Sequence, residues 1–144
     1  MNLQLSEHFS LDELTITEHR GLLEKNRIEA MKSIEAGAIL ANSLLEPIRE
    51  RFARPVVIHS GFRSAALNVA VGGSSTSQHC RFEAADFHVS GVPLVTVFDW
   101  IRKESKLNFG QLILEGWSLG APFRAPGKCG QVMTMRAGKY TRLR

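Results

Sequence analysis

The chain has 144 residues, of which 44% are hydrophobic and 22% charged, with a formal net charge of +4; this is the composition of an ordinary globular domain, and two cysteines do not make a disulfide framework. At that length a fold buries about 70% of the surface that the unfolded chain exposes, so one domain over residues 1–144 is expected with no structural metal or disulfide framework. No run approaches the roughly 18 apolar residues of a membrane span, and the membrane is excluded as a partner.

In chain order, Ser10 reads as an N-cap with Glu13 three residues on, so a short helix is predicted from Leu11. From Arg27 to Phe52 the apolar residues Ile28, Met31, Ile34, Leu40, Leu44, Leu45, Ile48 and Phe52 recur at threes and fours and predict one long amphipathic helix. Pro47 lacks a backbone donor and predicts a kink or break near Leu45. Pro55 to His59 is a β-branched run that reads as a buried strand, and Ser64 to Val71 as a helix of two turns. Gly72 to Ser77 is a polar loop. Ala84 to Val89 is the second strand, Pro93 begins a helix with Leu94, Val97, Phe98 and Ile101, and Gln111 to Glu115 and Gln131 to Arg136 are the third and fourth strands. The sum is an α+β fold, with N-terminal helices packed on a small, mostly antiparallel sheet.

Charge is unevenly placed. Arg124, Lys128, Arg136, Lys139, Arg142 and Arg144 form a basic tail over 124–144 that contains no acid. Without aromatic interleaving it reads as a solvated basic end, and nucleic acid is not expected as a partner. Cys80 and Cys129 read as two reduced thiols, and the opening residues carry neither a basic nor an apolar signal region, so the product is expected in the cytoplasm at synthesis.

The polar residues hardest to explain structurally lie between His59 and Glu115. His79 and Asp86 are separated by six residues, across a turn and into a strand, which lets an imidazole and a carboxylate converge as two zinc donors. The pair alone is weak. The whole string is specific: Val57-Ile-His-Ser-Gly-Phe-Arg-Ser-Ala-Ala-Leu-Asn, then Val71-Gly-Gly-Ser, Ser77-Gln-His-Cys-Arg-Phe-Glu-Ala-Ala-Asp-Phe, and Gln111-Leu-Ile-Leu-Glu-Gly-Trp. Together with Leu5-Ser-Glu-His-Phe-Ser-Leu-Asp-Glu-Leu-Thr and Leu45-Glu-Pro-Ile-Arg-Glu, it resembles the zinc D-alanyl-D-alanine carboxypeptidase-like family of murein peptidases, especially its short single-domain members of phages and prophages.

That resemblance implies a hedgehog/DD-peptidase-like fold and a zinc ion held by His79 and Asp86. It implies Arg63 as the residue that receives a substrate carboxylate or carbonyl, Glu115 as general base, and Ser77 and Gln78 as pocket residues that orient ligands or substrate. The expected function is hydrolysis of peptidoglycan stem peptides by a carboxypeptidase or endopeptidase of phage endolysin type, reaching the wall through a holin or on a virion.

Two departures stand out. The family's third zinc ligand is a histidine just past the Trp that follows the catalytic Glu, and here no histidine follows His88; Phe82 stands where the family commonly has glycine. His88, two residues beyond Asp86 and on the same strand face, is the assigned substitute, with His59, Cys80 and Cys129 as the other possible donors. The alternative function is therefore a catalytically impaired peptidase-like module that binds wall peptides or serves as a structural part of a phage particle, with particle proteins as partners.

Overall fold

A computed structural model describes residues 3–75, 77–104, 111–114, 119–122, 131–136 and 139–143. The first helix, α1 (Leu11–Leu14), begins where expected: the Ser10 hydroxyl accepts the Glu13 backbone N–H at 3.2 Å, and Glu13 Oε1 reaches back to the Ser10 N–H at 3.4 Å. Both leucines that end it are fully buried.

The predicted long helix is instead a relay of short ones. α2 (Leu23–Ala30) passes through a 3₁₀ turn at Met31–Ser33 into α3 (Ile34–Leu40), then through a π-turn at Ala41–Leu45 into α4 (Glu46–Phe52). The π-turn ends two residues before Pro47, with the Glu46 N–H bonded to Ala41 O: bonding one residue further along the chain is how a helix absorbs a residue with no N–H to give. Along this relay Leu40, Leu44, Leu45 and Ile48 face the core. Ile28 and Met31, which the apolar pattern assigned to that face, are 57% and 45% exposed, while Asn26 and Ala30 are buried in their place.

β1 (Val56–Ser60) and β2 (Ala84–Val89) pair antiparallel, with Val57 opposite His88, Ile58 opposite Phe87 and Ser60 opposite Asp86; the register slips at His59. Between them, Ser64 caps α5 (Ala65–Ala70) by accepting the Leu67 N–H, and after them comes α6 (Leu94–Asp99), which Pro93 precedes as N-cap. Strands β3 (Gln111–Leu114), β4 (Leu119–Pro122), β5 (Gln131–Arg136) and β6 (Lys139–Leu143) complete a six-stranded sheet in the order β1-β2-β4-β3-β5-β6. Among the described strands only the β3/β5 pairing is parallel. The fold is α+β, as the element pattern predicted, but β4 and β6 were not read from the sequence, and two paired strands occupy the basic tail.

The core lies between the helical relay and the inner face of the sheet, where Phe9, Phe82, Phe87, Leu112 and Ile101 meet Leu11, Leu14 and the relay leucines. Phe98 is buried, and Trp100 packs edge-on to Phe52 at 5.7 Å between centroids. Among the described residues no helix is long and apolar enough to cross a membrane.

The N-terminal segment is tied to α4 by His8, whose backbone N–H and ring nitrogen both reach Glu46 at 2.7 Å. Burial pushes the Glu46 carboxyl up, but hydrogen bonding from Ser6 and from His8, together with the charge of His8, outweighs it and leaves the group below its ordinary 4.5. A carboxyl depressed by folding stabilises the native state above its unfolded value and loses that contribution as pH falls through the folded one. Urea melts should therefore show wild type more stable than Glu46→Gln near neutral pH, with the gap closing below about pH 4.

Candidate metal centre

The loop between β1 and α5 and the turn before β2 build the site together. Gly61 and Phe62 follow β1 so closely against α1 that the Phe62 N–H donates to Leu14 O at 2.8 Å. Arg63 N donates to His79 O at 3.1 Å, and the His79 ring Nδ1 lies 2.6 Å from Gly61 O. His79 is thus gripped by this loop at both its backbone and its ring. It sits in the 3₁₀ turn Gln78–Arg81, which delivers the chain through Phe82 into β2.

A carbonyl oxygen only accepts, so the Gly61 bond fixes the proton on His79 Nδ1 and leaves Nε2 as a lone pair in the neutral ring. That lone pair faces Asp86 Oδ2 at 3.4 Å, with the His79 side chain 11% exposed and that of Asp86 24%. Two acceptors turned toward each other in a half-buried position repel unless a cation or proton lies between them. Donors at zinc-ligand distances on a tetrahedral ion stand about 3.3 Å apart, so the spacing fits two ligands of one zinc. The backbone carbonyl behind His79 is the usual outer partner of a metal-binding imidazole.

Arg63 and Ser77 are in contact: Arg63 Nη2 donates to Ser77 Oγ at 3.0 Å, and the same oxygen accepts the His79 N–H at 3.2 Å. Arg63 Nε is buried and has no hydrogen-bond partner among the described residues. The Ser77 hydroxyl therefore links the guanidinium to the histidine turn. Gln78 opens that turn, but its side chain lies outside the described residues, as do Glu115 and Cys129 entirely.

His88 has a different neighbour from the one assigned to it. Its Nδ1 lies 2.6 Å from His59 Nε2, with the two rings stacked at 4.8 Å and 29°. Burial lowers the pKa of His59, and the charge of His88 lowers it further, against an opposing pull from Asp86. Among the described residues no three His, Cys, Asp or Glu side chains gather closely enough to hold a metal. The trio His79, Asp86 and His88 is accordingly not closed: the strand alternation that turns His88 to the face of Asp86 also turns it toward His59, at the bulge in β1. A groove of about 410 Å³, lined by Ile16, Thr17, Glu18, Arg20, Ile58 and His59, borders this pair. Cys80 is a free thiol beside His79.

The family model for peptidase M15 matches residues 7–117, from Glu7 ahead of α1 to Trp117. The chain belongs to the M15 peptidase family. It is a metallopeptidase-family hydrolase fold, and M15 enzymes in general use zinc. No curated protein matches the chain.

Within this M15 domain, two further groups escaped sequence reasoning. The Gly61 carbonyl orients His79, and a backbone oxygen has no sequence signature. Asn26, fully buried on α2, donates from Nδ2 to Thr15 O at 2.9 Å and Phe62 O at 3.0 Å, and accepts the Ser64 N–H on Oδ1 at 2.7 Å. Its only signal is its place four residues before buried Ala30, on the face that apolar residues were expected to fill.

Proposed function

We propose that this M15 chain is a zinc-dependent peptidase that hydrolyses peptide stems of bacterial peptidoglycan, as a carboxypeptidase or endopeptidase of the phage endolysin type. The observation that carries the reading is the opposed lone pairs of His79 Nε2 and Asp86 Oδ2 at 3.4 Å, beside the Arg63–Ser77 contact. His79 and Asp86 are the proposed ligands. His88 is the proposed third donor and would have to exchange its contact with His59 for the metal.

A zinc ion held there by His79 and Asp86 would supply Lewis-acid polarisation of the scissile carbonyl and activation of a water. The remaining work falls to side chains. Arg63 offers a rigid fork of donors to a substrate carboxylate or carbonyl, while Ser77 and Gln78 hold the pocket wall. Glu115 is the proposed general base, taking the proton of the attacking water and returning one to the leaving amine. The protein would reach the wall through a holin or as part of a virion.

Release of peptides from purified sacculi by the zinc-loaded protein tests the reading. Turnover is expected to fall about a hundredfold or more in Glu115→Gln, with zinc retained; hydrolysis unchanged by that substitution would remove Glu115 from the role. The missing third histidine and the open trio favour a second reading, a non-catalytic module that recognises wall peptides or phage-particle proteins. It would show binding to sacculi without turnover at any zinc concentration.

A further inference from the structure

We propose that Asn26 is the positioning residue of the metal centre: through the loop 61–64 it fixes which nitrogen of His79 faces Asp86 and where Arg63 stands. The inference rests on the zinc-peptidase reading of His79 and Asp86. Five polar backbone groups of this short loop are held from outside it. Gly61 O takes the His79 ring, Phe62 N–H goes to Leu14 O, Arg63 N–H goes to His79 O, and Phe62 O and Ser64 N–H both go to Asn26.

The two bonds from Asn26 bracket Arg63 on either side. They span 36 and 38 residues of sequence, so they do not belong to a local turn or cap. The cap of α5 is made separately by the Ser64 hydroxyl. Nor does Asn26 serve α2, whose ends it does not cap. A buried amide costs desolvation that an apolar side chain of similar size would avoid. With both Nδ2 hydrogens and Oδ1 engaged, it returns a single loop geometry instead. The third contact, to Thr15 O, joins that loop to the end of α1, against which Gly61 packs.

Remove the side chain and Ser64 N–H and Phe62 O lose their partners together. The loop then relaxes at the carbonyl that sets the His79 tautomer. Outer-sphere groups that orient a metal-binding histidine are worth about ten- to a hundredfold in metal affinity. A residue that merely filled the core would instead lower the melting temperature and leave affinity alone.

The test is zinc titration of metal-stripped full-length Asn26→Ala, at a temperature where circular dichroism shows it folded. The comparison is with Ile48→Ala, which empties a buried site on α4. Zinc Kd should rise about tenfold or more in Asn26→Ala and stay within about threefold of wild type in Ile48→Ala. Nitrogen-15 imidazole spectra of the metal-free proteins give a readout independent of zinc. His79 should be a pure Nδ1–H tautomer in wild type and a mixture in Asn26→Ala. Should Asn26→Ala not fold, Asn26→Ser, which keeps one hydroxyl in the site, is read in the same way. A folded variant with unchanged zinc Kd and unchanged His79 tautomer overturns the proposal, as does a wild type in which His79 is not the Nδ1–H form. A wild type that binds no zinc, yet loses its His79 tautomer in Asn26→Ala, supports the positioning role and removes the zinc reading.

Discussion

Replacing Gly61 by alanine should destabilise the protein by about 3 kcal/mol or more and weaken zinc binding at the same time. A Cβ at this position would run into the Leu14 carbonyl oxygen and stand 3.0 Å and 3.1 Å from the Leu14 carbonyl carbon and Cα. Neither side can yield cheaply, because both are backbone. Phe62 N–H is bonded to that same Leu14 oxygen at 2.8 Å, so moving the loop away breaks a hydrogen bond. The Gly61 carbonyl moves with it and takes along the acceptor that orients His79. Urea denaturation and zinc titration of Gly61→Ala should therefore worsen together; a variant less than about 1 kcal/mol below wild type, with unaltered zinc affinity, would show that the loop has slack.

The second large effect is expected at Phe82, where two terms oppose each other. Phe82 has φ of 59°, the left-handed region in which a side chain costs about 1–2 kcal/mol. Its ring is fully buried, stacked at a tilt on Phe62 at 5.4 Å. Phe82→Gly relieves the backbone but forfeits about 3–5 kcal/mol of packing, so the variant should be about 1–4 kcal/mol less stable.

Gly37 on α3 is the complement: a Cβ there would stand 2.6 Å from the Phe82 ring. Gly37→Ala, which in an ordinary helix gains about 1 kcal/mol, should be destabilising here. Combined with Phe82→Gly it should recover more than about 1 kcal/mol of the summed losses in a double-mutant cycle. Additive losses would mean that ring and glycine are not coupled.

These two sites mark where sequence reasoning held and where it stopped. Local signals were legible: the Ser10 capping box, the β-branched run of β1 and the alternating β2 are set by neighbours within a few residues. Pro47 announced a break near Leu45, and its form, a π-turn at Ala41–Leu45, follows from the missing N–H. The Arg27–Phe52 periodicity chose a wrong face at its start, because Asn26 is buried for its hydrogen bonds to a loop distant in sequence. β4 carries a glycine and a proline and forms because β2 and β3 pair with it on both sides. Nothing in its own propensity asks for a strand.

At the site, the motif resemblance singles out His79, Asp86, Arg63 and Ser77, and His79 with Asp86, and Arg63 with Ser77, stand side by side. The assignment of His88 as substitute ligand rests on its place two residues beyond Asp86 on one strand, and the bulge at His59 that captures it is a tertiary feature. Phe82 was legible as a departure from a glycine turn. The glycine on α3 that makes room for it was not, since the two lie 45 positions apart in the chain.

The central claim is that His79 and Asp86 share a zinc ion, and calorimetric titration of metal-stripped protein tests it most directly. Roughly one zinc per chain at submicromolar affinity is expected, lost in both His79→Ala and Asp86→Asn while circular dichroism shows each variant folded. No binding, or binding indifferent to both substitutions, would contradict the account and leave the opposed lone pairs of His79 and Asp86 to be bridged by a proton instead of a metal.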